Sequence, residues 1–226
     1  MTLFEEVREG VRSVMPYPVR RRPVLAHYMR EFSRAGLIFI HVPKTAGVSV
    51  SLAVYGRTFP HNTAAEFKAS FPLLFPSLPS LGVVRNPWER CASAWRFAVE
   101  GGGKGPFRVK ILEAHRYQEP AFSSFERFVE EWLPDRDLVT EDHVFQPQHR
   151  FVADARGRPL VTLLGRMERL DELATELSDR LRRKIVFPRL NASGVKVDYR
   201  RLYTPRLADI VGRAYARDIE LFGYSF

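Results

Sequence analysis

The stretch FIHVPKTAGVSVSLAVYG, from Phe39 to Gly56, decides which fold the chain is expected to adopt. Residues 37–41 form a short apolar run that ends abruptly in polar residues, which is typical of a buried β-strand. A turn containing Gly47 follows, and residues 49–54 are predicted to be helical. Where a strand stops at a turn and leads into a helix, backbone N–H groups point outward and the helix macrodipole favours negative charge. The stretch therefore predicts an anion-binding site at the helix start.

The side chains of this turn suit an anion but not a magnesium-nucleotide loop. Gly47 lets the backbone approach an anion closely, and Lys44 adds a point charge. Either Thr45 or Ser49 adds a hydroxyl donor. An ATPase loop ends in Gly-Lys-Ser/Thr so that its hydroxyl reaches a magnesium ion. In this chain Lys44 directly follows Pro43, and no magnesium-binding acid comes after it.

A second segment, LGVVRNPWERCASAWRF, repeats the strand-to-helix pattern. Residues 81–85 are a predicted strand with Arg85 at its end, and the fixed φ of Pro87 suits the first position of the following helix. Ser93 comes six residues after Pro87, a rise of roughly 9 Å at 1.5 Å per residue. Arg85 and Ser93 can therefore hold one phosphate only if it lies beside the helix. That geometry suits a side phosphate on a ribose.

The composition indicates a globular protein with an anionic partner. The chain has 226 residues, of which 45% are hydrophobic, and this is enough for a real core. The formal net charge of +9 favours a nucleotide, an acidic glycan, nucleic acid or an anionic membrane surface as partner. The single cysteine, Cys91, excludes an intramolecular disulfide. No run of about 18 apolar residues occurs, so we expect no integral membrane segment and a cytoplasmic protein.

The rest of the chain alternates apolar and helical segments without an internal repeat, which favours one continuous α/β domain. Two helices are predicted from apolar faces, formed by Phe125, Phe128, Val129 and Trp132, and by Leu170, Leu173, Ala174, Leu177 and Leu181. A last helix is predicted to start after Thr204 and to end at Gly223. Residues 100–106 (EGGGKGP) follow a helix rather than a strand, and are predicted to be a surface connection rather than a phosphate loop.

Together the two segments resemble the nucleotide site of sulfotransferases, specifically that of bacterial members of the carbohydrate-type (Golgi-like) family. In that family a Pro-Lys-Thr-Gly/Ala-Gly-Thr-Ser loop binds the 5′-phosphosulfate end of 3′-phosphoadenosine 5′-phosphosulfate (PAPS), and an Arg-Asn-Pro…Arg…Ser segment binds its 3′-phosphate. The matching residues are Pro43, Lys44, Thr45, Ala46, Gly47 and Ser49 for the loop, and Arg85, Asn86, Pro87, Arg90 and Ser93 for the segment. Val48 stands where the family usually has threonine, which removes one hydroxyl donor.

The likeness covers residues 37–226 and includes the stretches HNTAAEF, DHVFQPQHRFV, LLGRMERL, LNAS and DIELFGY. It implies an α/β fold of the three-layer, parallel-sheet, P-loop-like type, with a single sulfotransferase domain over residues 37–226. Residues 1–36 are expected to be an N-terminal extension, or a helix that packs on the domain.

The resemblance implies a PAPS-dependent sulfotransferase that moves a sulfuryl group to an acceptor hydroxyl by in-line displacement and releases adenosine 3′,5′-bisphosphate. We expect a small molecule or glycan as acceptor, with a carbohydrate foremost, and neither a nucleic-acid partner nor a metal. Lys44 is placed to stabilise the charge on the leaving phosphate. The PAPS-binding residues that the motifs imply are Lys44, Thr45, Ala46, Gly47, Val48, Ser49, Arg85 and Ser93.

A hydroxyl acceptor must lose a proton as it attacks, and histidine is the default base near neutral pH. We favour His61 as this base and His143 as the residue that positions the acceptor. Glu66 is the alternative base, and His41 is expected to orient the phosphate loop. Amide contacts to the acceptor are expected from Gln146 and Gln148.

The other polar residues receive structural or supporting roles. Structural roles are expected for His27, His115 and His149. Arg166 and Glu168 are expected either to brace the pocket or to pair with each other. Asn191 and Ser193 are expected to reach the adenosine.

Two other classes of function stay open from the sequence. A P-loop kinase or nucleotide hydrolase would also use a phosphate site between a strand and a helix, but the missing Gly-Lys-Ser/Thr ending argues against it. A non-catalytic nucleic-acid-binding protein would use the basic residues, but no basic motif interleaved with aromatic residues supports that function.

Overall fold

The computed structural model describes residues 17–103, 111, 113–188 and 198–226, with side chains from Arg21 onward. The predictions for residues 104–106, Asn191 and Ser193 lie outside the described residues. Within the described ranges no helix is long and apolar enough to cross a membrane.

Three short parallel strands, within these ranges, form one sheet in the order β1-β2-β3. They are β1 (Ile38–Ile40), β2 (Ser80–Val84) and β3 (Leu163–Arg166). Every residue of β1 and β2 is buried, as is typical of parallel strands. Both predicted strands are confirmed, and the polar residues that were included in them, His41 and Arg85, lie just beyond the strand ends. The two residues therefore emerge at the same edge of the sheet.

Helices separate the strands along the chain, which makes this an α/β fold as predicted. They are α1 (Tyr17–Ala35), α2 (Gly47–Tyr55), α3 (Ala64–Ser70), α4 (Pro87–Val99), α5 (Phe125–Arg127), α6 (His149–Val152), α7 (Leu170–Leu181), α8 (Pro205–Ala214) and α9 (Ala216–Phe222). Short 3-10 turns cover Ala114–Tyr117, Pro120–Ser123, Met167–Arg169 and Tyr199–Leu202.

Local side-chain signals explain where three of these helices begin. Thr63 and Glu66 form a reciprocal capping box at the start of α3. Asn86 accepts hydrogen bonds from the N–H groups of Trp88 and Glu89, and Pro87 fills the first turn of α4 as predicted. Thr204 caps α8 in the same way by accepting from the N–H of Leu207.

Two apolar clusters hold the elements together. The first surrounds the sheet and includes Phe39 of β1, Val83 of β2, Leu173 and Leu177 of α7. The second surrounds α4 and is rich in aromatic rings, among them Phe122, Phe125, Phe128, Trp132 and Phe145. Since α4 starts beside the sheet and runs into the second cluster, it connects the edge of the sheet to both clusters.

Two predicted helices differ in detail from the structure. The residues Phe125, Phe128, Val129 and Trp132 are all buried, but α5 ends at Arg127 and Phe128–Trp132 continues as a π-helical turn. The single helix predicted from Thr204 to Gly223 is wrong, because the chain leaves helical geometry at Tyr215 and α8 and α9 are separate helices. The buried hydroxyl of Tyr215 donates to the carbonyl of Phe145 at 2.8 Å, which holds this residue in the core.

Helix α1 lies within the region predicted to be an extension. Its buried residues Leu25, Met29 and Phe32 belong to the apolar cluster around the sheet. The division of the chain into residues 1–36 and residues 37–226 stays a prediction.

Candidate functional site

The loop between β1 and α2 is held in an unusual backbone conformation. Lys44 and Ala46 have φ angles of 66° and 63°, in the left-handed region that non-glycine residues rarely adopt. Two hydrogen bonds fix the loop: the Thr45 hydroxyl donates to the carbonyl of Val42 at 2.9 Å, and Arg90 Nε donates to the carbonyl of Pro43 at 3.0 Å. Strained residues of this kind persist where the surrounding structure holds them, and they are frequent at functional sites.

Gly47 begins α2 in close contact with the imidazole of His41. A Cβ atom added at position 47 would lie 2.0 Å from His41 Cδ2 and 2.3 Å from its Nε2. The His41 ring is fixed in turn, because its Nδ1 donates to the carbonyl of Phe59 at 2.6 Å. Glycine is therefore required here by close packing.

The first turn of α2 is available to an anion. Ala46, at the position before the helix, makes no side-chain capping bond, whereas α3, α4 and α8 each begin with one. Backbone N–H groups at such a start bind anions readily. The Thr45 hydroxyl is fully buried and engaged with Val42, so Ser49, which is half-buried, is the better placed of the two predicted hydroxyl donors.

Arg85 brings the second predicted segment against this loop. Its Nη1 donates to the carbonyl of Lys44 at 3.1 Å, and its Nη2 forms an ion pair with Glu89 at 2.9 Å. Its Nε is buried without a hydrogen-bond partner. The side chain that follows β2 thus contacts the backbone of the loop that follows β1.

The site concentrates positive charge. Arg90 is only 1% exposed, and its guanidinium donates to the backbone carbonyls of Pro43 and Gln146. Burial, followed by repulsion from Arg85 and Arg90, lowers the pKa of Lys44 to about 8. The Lys44 ammonium lies 4.1 Å from the centre of the Phe97 ring, a cation–π contact that the sequence patterns did not indicate.

These donors suit an anionic ligand. An anion here would meet uncapped amides and would relieve the mutual repulsion of Lys44, Arg85 and Arg90. Ser93 lies half-buried on α4 and, among the described residues, makes no hydrogen bond with Arg85 or Lys44. No group of histidine, cysteine and acidic side chains suited to a metal ion occurs in the described part of the chain.

Gln148 holds the backbone of Arg85, and Asp218 holds Gln148. The Gln148 side chain accepts from the N–H of Arg85 and donates to its carbonyl, both at 2.9 Å. Asp218 accepts from the N–H of Gln148 at 2.7 Å. The expectation that Gln146 and Gln148 offer their amides to an acceptor is wrong, because the Gln146 amide donates to the carbonyl of Glu141. Both amides bond the protein's own backbone.

The residues Arg166 and Glu168 do not pair with each other. Glu168 accepts from the N–H of Asn86 at 2.6 Å and from the Tyr224 hydroxyl at 3.1 Å. Arg166 donates to the carbonyl of Phe222 and lies 4.6 Å from the centre of the Tyr224 ring. The predicted pairing is therefore wrong, and the role of bracing the pocket stays a prediction.

Three histidines lie side by side next to the loop. The ring centres of His41 and His61 are 4.2 Å apart, and those of His61 and His143 are 6.0 Å apart. His61 Nδ1 donates to the carbonyl of His41 at 2.8 Å, which leaves its Nε2 as a proton acceptor. Burial, then repulsion from His41, lowers the pKa of His61 to about 3, so this ring is neutral at physiological pH.

His143 and Glu66 occupy the exposed side of this group. Burial lowers the pKa of the His143 ring, and the carboxylates of Asp142 and Glu66 oppose that shift. The Glu66 carboxylate accepts from the N–H of Thr63 at 2.7 Å in the capping box of α3. Glu66 is therefore close to His143 but already has a structural role.

The histidines that were given structural roles lie elsewhere. His27 forms an ion pair with Glu31 on α1, His115 is exposed, and the His149 ring lies 2.7 Å from Asp218. The contacts of Phe97 with Lys44, of Gln148 with Arg85 and of Asp218 with Gln148 were missed. All three residues lie in stretches that the sequence singled out, but only Gln148 was given a role there, and it was a different one.

A family model described as the sulfotransferase family matches residues 29–225 of this chain. The matched region contains all three strands and both segments that meet at Lys44 and Arg85. No curated protein and no solved structure matches the chain significantly.

Proposed function

The chain belongs to the sulfotransferase family, and on that premise we propose that it transfers a sulfuryl group from PAPS to an acceptor hydroxyl, in the first place that of a carbohydrate. The observation that carries the proposal is the contact between Arg85 Nη1 and the carbonyl of Lys44 at 3.1 Å. Because the two predicted phosphate-binding segments touch, one nucleotide with phosphate groups at both ends of its ribose can reach both.

We assign the two ends of the nucleotide to different elements. The uncapped amides of α2, Lys44 and Ser49 would hold the 5′-phosphosulfate end, whereas Arg85 and Ser93 would hold the 3′-phosphate. When bound, PAPS supplies the sulfuryl group and departs as adenosine 3′,5′-bisphosphate. Lys44 neutralises the charge that grows on the leaving phosphate, and the N–H groups of residues 46–49 keep that phosphate in line.

We assign proton removal to His61. Its Nδ1–H is committed to the carbonyl of His41, so the acceptor hydroxyl would pass its proton to Nε2. Repulsion from His41, His143 and Arg90 contributes to the low pKa of His61. An anionic group bound nearby raises that pKa toward the working range. His143 would position the acceptor on the exposed side of His61.

The finer architecture is part of the same proposal. We take residues 37–226 as one three-layer, P-loop-like domain and residues 1–36 as an extension that packs on it. Parallel strands joined by helical connections, and the packing of α1 residues in the cluster around the sheet, support this arrangement.

The direct test is a transfer assay with labelled PAPS over a panel of sugar, phenol and lipid acceptors. We expect transfer to at least one sugar, and Lys44→Ala to lower the rate by about 100-fold or more. The control is Lys68→Ala, because Lys68 is exposed on α3. Full turnover in Lys44→Ala would contradict the proposal. Stronger thermal stabilisation by ATP with magnesium than by adenosine 3′,5′-bisphosphate would instead favour a kinase.

A further inference from the structure

We infer that Gln148, held by Asp218, is a positioning residue that sets the place of Arg85 and thereby the preference for nucleotides with a 3′-phosphate. This inference rests on the proposed function, because it concerns the same site. It assigns a role to two buried residues that were not among those expected to bind the phosphates.

The need for Gln148 follows from the register of the sheet. The last residue pair between β1 and β2 is Ile40 with Gly82, and the last pair between β2 and β3 is Val84 with Arg166. Arg85 lies one residue further, where neither neighbouring strand continues. Its backbone N–H and carbonyl therefore need partners from outside the sheet.

The Gln148 side chain supplies both partners. Its Oε1 accepts from the N–H of Arg85, and its Nε2 donates to the carbonyl of Arg85, each at 2.9 Å. A primary amide that exchanges two hydrogen bonds with one residue replaces an adjacent strand. Because Gln148 is 0% exposed, water cannot compete for these bonds.

Asp218 fixes Gln148 in turn. The Asp218 carboxylate accepts from the N–H groups of Gln148 and His149 at 2.7 and 2.9 Å, and His149 Nδ1 lies 2.7 Å from the same carboxylate. Asp218 is also 0% exposed. The position of Arg85 at the sheet edge thus depends on α9, which is remote in sequence.

This dependence affects the 3′-phosphate because the Arg85 side chain has little freedom of its own. The side chain is 13% exposed and is bonded to Lys44 and Glu89. A displaced backbone at Arg85 would move the guanidinium away from its place beside Lys44. Bidentate recognition of a phosphate depends on such placement.

The chain offers a matched control at the other end of β2. The Thr162 side chain accepts from the N–H of Ser80 at 2.8 Å and donates to the carbonyl of Ser80 at 3.1 Å. Thr162→Val removes a clamp on the same strand that lies far from Arg85. Comparing it with Gln148→Met separates loss of stability from loss of positioning.

The test measures binding of adenosine 3′,5′-bisphosphate and of adenosine 5′-monophosphate by titration calorimetry. The ratio of the two affinities reports recognition of the 3′-phosphate. We expect the ratio to fall by about tenfold in Gln148→Met, and to keep its wild-type value in Thr162→Val. An unchanged ratio in Gln148→Met overturns the inference, as does an equal fall in Thr162→Val.

Two further measurements cover a Gln148→Met variant that does not fold and a wild-type protein that does not discriminate between the two nucleotides. If Gln148→Met does not fold, Asp218→Asn is judged by the same criterion, because it keeps the Gln148 amide and weakens the contacts of Asp218 with Gln148 and His149. Binding to the wild-type protein distinguishes failure of the proposed function from failure of the positioning role. If it binds both nucleotides equally, the proposed function fails; if it prefers the bisphosphate and Gln148→Met does so equally, only the positioning role fails.

Discussion

The imidazole of His41 occupies the space that a side chain at position 47 would need, since a Cβ added to Gly47 would lie 2.0 Å from His41 Cδ2. His41 cannot easily move away, because its Nδ1 donates to the carbonyl of Phe59 at 2.6 Å and the ring stacks on Phe39. The ring therefore connects the strand end to the first residue of α2.

We predict that Gly47→Ala lowers the free energy of unfolding by about 2 kcal/mol through overpacking. Adding His41→Ala should recover part of this loss, so that a double-mutant cycle gives a clear coupling energy. The measurement is denaturant unfolding. The control is Gly212→Ala on α8, where the nearest atom to the added Cβ is 3.4 Å away, in Trp88. Equal effects at both positions would contradict the contact with His41.

The lowered pKa of Lys44 predicts a pH-dependent affinity for nucleotide. The ammonium loses its proton above a pKa of about 8, so positive charge is present below that pH and is lost as the pH rises. The affinity for adenosine 3′,5′-bisphosphate should then fall by up to about tenfold per pH unit. Lys44→Arg should flatten this dependence, because arginine stays charged. Calorimetry between pH 7 and 9.5 checks this. If the affinity of Lys44→Arg falls with pH as steeply as that of the wild-type protein, Lys44 does not cause the pH dependence.

His61 makes the protein sensitive to acid. Its pKa is about 3 in the folded protein and near 6.5 in an unfolded chain, so protons bind the unfolded state more tightly. Its contribution to stability is present above pH 6.5 and is lost as the pH falls. Between pH 7.5 and 5 the loss is about 1 to 2 kcal/mol for one such group.

We predict that His61→Asn reduces this acid-induced loss, because an asparagine amide can donate to the His41 carbonyl without taking up a proton. Urea unfolding over this pH range gives the measurement. His115→Asn, at an exposed position, should leave the pH dependence unchanged. If the two variants behave alike, the burial of His61 does not cause the effect.

The candidate bases can be separated by kinetics. His61→Ala should lower kcat by about 100-fold or more with little change in nucleotide affinity, as expected of a general base. His143→Ala should mainly raise KM for the acceptor. Glu66→Gln keeps the capping box, since glutamine also suits that position, and should retain activity. A large fall in kcat for Glu66→Gln, with His61→Ala active, would transfer the role to Glu66.

Features with local signals could be predicted from the sequence. Neighbouring residues determine the ends of β1 and β2 just before His41 and Arg85, the start of α4 at Pro87 and the cap at Thr204. The glycine after the loop follows from the same short-range pattern.

Contacts between distant residues could not be predicted in this way. Gln148 and Arg85 are 63 positions apart, and no period or cap in either segment relates them. Tyr215, where the predicted helix breaks, also has a distant partner, because its hydroxyl donates to the carbonyl of Phe145, 70 positions away. Tertiary contacts of this kind override the local preference for one continuous helix.

The most direct test of the two-ended nucleotide site is the affinity of adenosine 3′,5′-bisphosphate and adenosine 5′-monophosphate for Lys44→Ala and Arg85→Ala, measured by calorimetry. We predict that Lys44→Ala weakens both nucleotides by similar factors, because both carry the 5′-phosphate. Arg85→Ala should weaken the bisphosphate by about tenfold or more and leave the monophosphate nearly unchanged. Equal weakening of both nucleotides by Arg85→Ala, or no binding of the bisphosphate to the wild-type protein, would contradict the assignment.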